Sequence, residues 1–192
     1  MEPLHDQPES WPVHEVEHIW EGHAPFSVRR DMVSAPSAPG ETFGRLVLDH
    51  PGAVVILAVD DEDRALVVQQ YRHPVGARLV ELPAGLLDEP GEDPRVAAER
   101  ELREEGLVLA DRWTHLMTTY ASPGLSSERI AYYLAEGITP APDRGGFEPE
   151  HEEADMTTMW VPVEELLRGV LAGRLADAPL VQAVMAYRLR RS

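Results

Sequence analysis

Apolar and polar residues alternate through residues 13 to 20, 26 to 33 and 42 to 48, and this period of two predicts three β-strands. A Ser/Ala/Pro/Gly stretch at 34 to 40 separates the second from the third. Two denser apolar runs follow, Ala53 to Val59 and Ala65 to Tyr71. They flank the acidic turn 60 to 64 and predict a hairpin. A short strand is expected over Leu79 to Leu82, β-rich segments over His115 to Tyr120 and Arg129 to Ala135, and another strand over Thr157 to Val161. Two helices are expected at about 162 to 173 and 179 to 190. The order is mixed α/β: a small antiparallel β subdomain over residues 1–50 and a main domain over 51–192.

The central helix carries the most information. Asp93 and Pro94 form a helix start, Asp as N-cap and Pro at the first helical position. At about 100° per residue, Ala97, Ala98, Glu101, Glu104 and Glu105 share roughly a third of the circumference. Arg95, Arg100 and Arg103 are expected to point elsewhere, so they cannot all neutralise the carboxylates. Like charges three and four residues apart repel by a few tenths of a kcal/mol each, so a divalent cation held by oxygen ligands is the natural partner. The bland alternative is a solvated, salt-bridged helix face. Context favours the cation, because the Gly/Pro-rich segment 81 to 93 leads from an apolar strand into the helix and sets the acids at a strand-to-loop junction. Gly106 is expected to end the helix directly after Glu105, leaving Glu105 on its last turn.

Composition narrows the chemistry. The chain has 192 residues, 43% of them hydrophobic, enough to bury a core. It has no apolar run of about 18 residues to span a membrane. Its first residues lack the basic flank and apolar stretch of a signal peptide, which places it in the cytoplasm. A net charge of −17 argues against a nucleic-acid partner, since phosphate backbones call for basic stripes. Cysteine, lysine and asparagine are absent, which removes thiol nucleophiles, disulfides, Schiff-base lysines and a phosphate-loop lysine. His14 and His18 sit in an alternating strand pattern, where i and i+4 lie far apart, so no zinc site is expected there. The segment 139–155, rich in Pro, Gly and acid, reads either as a disordered acidic turn or as an active-site lid.

Gly85, Glu92, Arg100, Glu101, Leu102, Glu104 and Glu105 together resemble the signature of the Nudix hydrolases. Seven residues separate Glu92 from Arg100, as in the family. The chain departs twice: six residues rather than five lie between Gly85 and Glu92, and Gly106 follows Glu105 without the usual intervening residue. Segments 69 to 76, 81 to 88, 122 to 129 and 150 to 156 extend the resemblance toward the ADP-ribose pyrophosphatase branch.

The resemblance implies an α/β/α sandwich with a mixed sheet, and N-terminal strands that pack or exchange across a homodimer interface. It implies Mg²⁺, with Mn²⁺ as a possible substitute, held by Glu101 and Glu105 with Glu104 as a third ligand and the backbone carbonyl of Ala84 as another. Arg100 and Glu92 would form a structural ion pair. The general base must come from outside the metal cluster. Glu152 or Glu153 in the late loop is the first choice and Glu128 the next, and the sequence does not rank the three. Arg72 and Arg45 are the candidates for gripping the substrate, because planar guanidinium forks suit phosphate. The implied reaction is hydrolysis of ADP-ribose to AMP and ribose 5-phosphate. The alternatives are another nucleoside diphosphate sugar or a dinucleotide as substrate, or a catalytically weak nucleotide-sugar sensor.

Overall fold

The computed structural model describes residues 3–22, 24–148 and 155–191. The chain divides into two compact units, Met1–Pro51 with Tyr120–Glu128, and Gly52–Thr119 with Arg129–Ser192. In the first unit, β1 (Val13–Glu21), β2 (Ser27–Ser34) and β3 (Thr42–Asp49) form an antiparallel sheet in that order. The expected strands are all present. Arg29 links β2 to the end of β3, donating through Nε to Asp31 (3.0 Å) and through Nη1 to Asp49. His14 bonds Ser34 (2.8 Å) and His18 pairs with Glu21 (2.7 Å), so the two histidines have separate partners.

In the second unit, β4 (Ala53–Ala58) is the spine. A four-stranded sheet runs β7 (Ala84–Leu86), β4, β9 (Arg129–Pro140), β8 (Val108–Tyr120). β7 pairs with β4 antiparallel and β9 pairs with it parallel, so the sheet is mixed. All six residues of β4 are buried, and strand alternation divides them between two cores. Val54, Ile56 and Ala58 pack with Ala97, Ala98 and Leu102 of α1 (Pro94–Gly106). Ala53, Val55 and Leu57 pack with Val163 and Leu166 of α2 (Val163–Leu171) and with Leu180, Ala183, Val184 and Tyr187 of α3 (Ala178–Arg190). Helices therefore cover both faces of this sheet, the expected α/β/α sandwich.

A second sheet of this unit runs β10 (Thr157–Pro162), β5 (Arg64–Arg72), β6 (Ala77–Glu81), antiparallel throughout. The expected hairpin of the two central apolar runs is corrected here. β4 and β5 belong to different sheets and meet only at an isolated bridge, Val59 to Ala65. The acidic turn does close, with the Asp60 carboxylate accepting from the backbone N–H groups of Glu62 and Arg64. Both edges of β4 are already taken by β7 and β9, so β5 has no ladder to join and pairs with β6 and β10 instead. Among the described residues, no helix is long and apolar enough to cross a membrane.

Candidate active site

The helix α1 starts as its sequence directs. Asp93 has extended backbone angles and its carboxylate accepts from the N–H of Arg95 at 2.8 Å, with Pro94 next in the chain. This start phases the helix so that Ala97, Ala98, Glu101, Leu102 and Glu105 face inward. Glu101 is 9% exposed and Glu105 7%, unusual burial for two carboxylates one turn apart.

Both meet the same strand end. The N–H of Ala84 donates to Glu105 Oε2 at 3.0 Å. A Cβ placed on Gly85 would lie 2.0 Å from Glu101 Oε1, so only a glycine lets that carboxylate rest against the backbone. The register adds a further point. The N–H of Ile56 donates to Pro83 and that of Leu87 to Gly52, which makes Ala84, opposite Val55, a non-hydrogen-bonded position of the ladder. Its N–H and C=O both turn away from β4, toward the side where Glu105 lies.

Three readings of this helix are revised or completed by the geometry. Arg100 does not point away from the acids. Its Nη1 donates to Glu101 (2.7 Å) and Glu104 (3.2 Å), and its Nη2 to Glu92 (3.2 Å). The long side chain reaches back across the helix surface, and these bonds, that to Glu92 first, raise the guanidinium's pKa. Arg95 and Arg103 do lie elsewhere, on Glu99 (3.0 Å) and on Asp143 respectively.

Gly106 is the last residue of the helix, one place later than expected. Leu107, just past it, takes the left-handed cap position at φ 53°. A Cβ on Gly106 would lie 2.6 Å from Leu66 Cδ2, and Leu66 is buried in the core. Gly106 therefore packs closely against the core, and Leu107 stands in a conformation that favours glycine. Glu105 is on the last turn, as expected, and the N–H of Leu107 closes that turn onto the Arg103 carbonyl at 3.2 Å.

Arg72, at the end of β5, is held by Glu81 at the end of β6. Nε donates to Oε1 at 2.9 Å and Nη2 to Oε2 at 2.7 Å. Gln70 Nε2 adds a weaker bond to Oε2 at 3.3 Å. The bond to Glu81 raises the pKa of Arg72 against the opposing effect of burial, and Glu105 and Asp177 raise it further. Asp177 caps α3, accepting from the N–H of Leu180 at 2.8 Å. Burial pushes its carboxyl up to about 6, helped by the Glu81 charge and opposed by the Leu180 bond and Arg72.

Glu81, Gln70 and Asp177 were not singled out from sequence. A signal existed for two of them: Glu81 interrupts an apolar strand, and Asp177-Ala-Pro repeats the Asp-then-Pro helix start seen at Asp93.

The structure brings together Ala84, Gly85, Glu92, Arg100, Glu101, Glu104 and Glu105, with Arg72 in electrostatic reach of Glu105. Arg45 and Glu128 belong to the first unit. There Arg45 donates to the carbonyl of Gly44 (3.0 Å) with its guanidinium 4.3 Å from the centre of the Phe43 ring, and the N–H of Glu128 donates to Ser126 Oγ (3.1 Å). Glu152 and Glu153 lie outside the described residues. Among the described residues, no three His, Asp or Glu side chains are grouped as a metal cage. The donors available for a hard cation are the two buried carboxylates and the Ala84 carbonyl. That set suits Mg²⁺, which takes one or two carboxylates and completes its shell with water and phosphate oxygens.

Comparison with known proteins identifies the family. Residues 49–184 match the NUDIX domain family. The chain is 45% identical over 161 residues to an ADP-ribose pyrophosphatase of Mycobacterium tuberculosis, covering 84% of this chain and 75% of that protein. It is 34% identical to an ADP-ribose pyrophosphatase of Bacillus subtilis, over 80% of each chain. It is also 35% identical to a methanol dehydrogenase activator of Bacillus methanolicus, over 92% of this chain and 91% of that one. A crystal structure of an ADP compounds hydrolase shares the fold, with a TM-score of 0.77 at 21% identity over 97% of this chain and 96% of that one. Ala84, Gly85, Glu101 and Glu105 all lie within the matched residues 49–184, and the chain belongs to the Nudix family of hydrolases.

Proposed function

We propose that this enzyme hydrolyses the pyrophosphate of ADP-ribose to AMP and ribose 5-phosphate with Mg²⁺. The observation that carries the reading is the burial of Glu101 and Glu105 against the Ala84–Gly85 strand end. The ADP-ribose pyrophosphatases among its relatives supply the substrate.

Glu101, Glu105 and the Ala84 carbonyl would hold the ion, with Glu104 as a further ligand. When bound, Mg²⁺ neutralises charge on the pyrophosphate and makes water more acidic. The residues of the chain divide the remaining work. Arg100, bonded to Glu92, Glu101 and Glu104, keeps the acids in place. Arg72 grips a phosphate oxygen, and Arg45 is the second candidate for that contact. Glu152 or Glu153, with Glu128 next, accepts a proton from water as its oxygen attacks one phosphorus. The bond from that phosphorus to the bridging oxygen breaks, and the bridging oxygen leaves on the other phosphate.

The test is product analysis. Turnover is measured on ADP-ribose, GDP-mannose, NADH and diadenosine polyphosphates with Mg²⁺ or Mn²⁺. AMP and ribose 5-phosphate formed fastest from ADP-ribose is the expected outcome. Faster cleavage of another substrate would move the specificity, and binding without cleavage would make the protein a sensor.

We infer also that the first unit serves a homodimer. All nine residues of the edge strand β1 are exposed, among them Val13, Val16, Ile19 and Trp20. An exposed apolar edge strand invites pairing with another chain. Light scattering after size exclusion should give twice the chain mass, and a monomer at micromolar concentration would refute the pairing.

A further inference from the structure

Glu81 is 5% exposed, and a buried carboxylate is costly to keep unless it is paired and hydrogen-bonded. Its two oxygens accept from Arg72 at 2.9 and 2.7 Å and from Gln70 at 3.3 Å. This two-point bond takes one edge of the guanidinium, the Nε and Nη2 side. Among the described residues, no hydrogen bond is formed by Arg72 Nη1, and the Arg72 side chain is 47% exposed. A planar fork held along one edge presents its remaining donors in a fixed direction.

A second observation concerns what surrounds the guanidinium. The charges of Glu105 and Asp177 also act on it, each raising its pKa beyond the effect of Glu81. A loosely held arginine would settle against whichever acid was charged. Glu105 is one of those acids, and a guanidinium placed on it would neutralise the carboxylate wanted for a divalent ion. The two bonds to Glu81 hold the guanidinium elsewhere, and the β5–β6 register sets them up. Val68 pairs with Glu81 and Gln70 with Leu79, so Glu81 and Gln70 lie diagonally on one face of the ladder, and Arg72 folds back along that face to reach the carboxylate.

We propose that Glu81 is a positioning residue that holds Arg72 with Nη1 outward for a substrate phosphate and keeps the guanidinium off Glu105. This rests on the reading of Arg72 as the phosphate-gripping arginine. Glu81 itself contacts neither ion nor substrate and acts through Arg72 alone.

A double-mutant cycle tests it, with Glu81→Gln, Arg72→Gln and the double variant assayed on ADP-ribose across Mg²⁺ concentrations. Glu81→Gln is expected to raise KM about tenfold and to raise the Mg²⁺ needed for half-maximal rate, with a smaller effect on kcat. In the Arg72→Gln background the same change should alter either constant by less than about twofold. Effects that multiply in the double variant would overturn the inference, because Glu81 would then act independently of Arg72. A wild-type rate for Arg72→Gln would instead remove the reading of Arg72, and the inference with it. Should Glu81→Gln melt below the assay temperature, the same cycle is run with Glu81→Asp. That variant keeps the charge but withdraws the carboxylate by about one methylene, and the same outcomes decide.

Discussion

Gly85→Ala separates the demands of the site from those of the fold. The glycine has no left-handed backbone to excuse it, so its role is space: a Cβ there would sit 2.0 Å from Glu101 Oε1 and 2.0 Å from Cδ. Ordinary contact begins near 3.4 Å, so the carboxylate must retreat by more than about 1 Å. It can do so, being the far end of a flexible side chain. The retreat weakens its 2.7 Å bond to Arg100, a half-buried pair whose loss costs on the order of 1 kcal/mol. The restricted unfolded chain returns about 0.5 kcal/mol. Stability should therefore change by less than about 2 kcal/mol. Activity should change far more, because displacing a ligand carboxylate by 1 Å costs on the order of 100-fold. Initial rates on ADP-ribose across Mg²⁺ concentrations, with a thermal melt of the same sample, read both. A folded variant with wild-type rate and Mg²⁺ requirement would refute the argument that Glu101 must rest against this backbone.

Four other substitutions have expected outcomes. Gly106→Ala should destabilise the protein by about 1–2 kcal/mol although alanine favours helices, because its Cβ would meet buried Leu66 at 2.6 Å. A thermal melt should fall by a few degrees, and a rise would mean the helix end has slack. Asp177, held near 6 by burial, has a folded pKa above its ordinary value of 3.8. Its contribution to stability is therefore present below about pH 4 and lost as pH rises through about 6, by at most about 3 kcal/mol. Asp177→Asn keeps an N-cap oxygen for Leu180 and should flatten that part of the stability profile, with a higher melting temperature at pH 7.5. Identical pH dependence in both proteins would contradict the shift. Of Glu152→Gln and Glu153→Gln, one should lower kcat greatly at similar KM and the other slightly. Equal small losses would move the base to Glu128.

What could be read from the chain depended on how local the cause was. The start of α1 is fixed by two adjacent residues, Asp93 and Pro94, the first unit's strands follow from short-range alternation, and β4 and β5 follow from dense apolar runs, whereas the three-residue β7 has no such signal. The separation of β4 from β5 was not legible, because it depends on β7 and β9 occupying both edges of β4, and β9 begins some seventy residues later. The reach of Arg100 back to Glu101 and Glu104 was missed by a rule that assigns side chains to directions and ignores their length. At Gly106 the helix ends one residue later than expected, and what the sequence hid is the close packing of that glycine against Leu66, which lies forty residues earlier. The Arg72–Glu81 grip depends on strand register, which sequence alone does not supply.

The proposed hydrolytic site is the buried Glu101 and Glu105, facing Ala84 and Gly85. Its most direct test is Mg²⁺-dependent cleavage of ADP-ribose by the wild type beside Glu101→Gln and Glu105→Gln. The account predicts AMP and ribose 5-phosphate from the wild type, and losses of at least 100-fold in both variants at little change in melting temperature. Wild-type rates in both variants would contradict it.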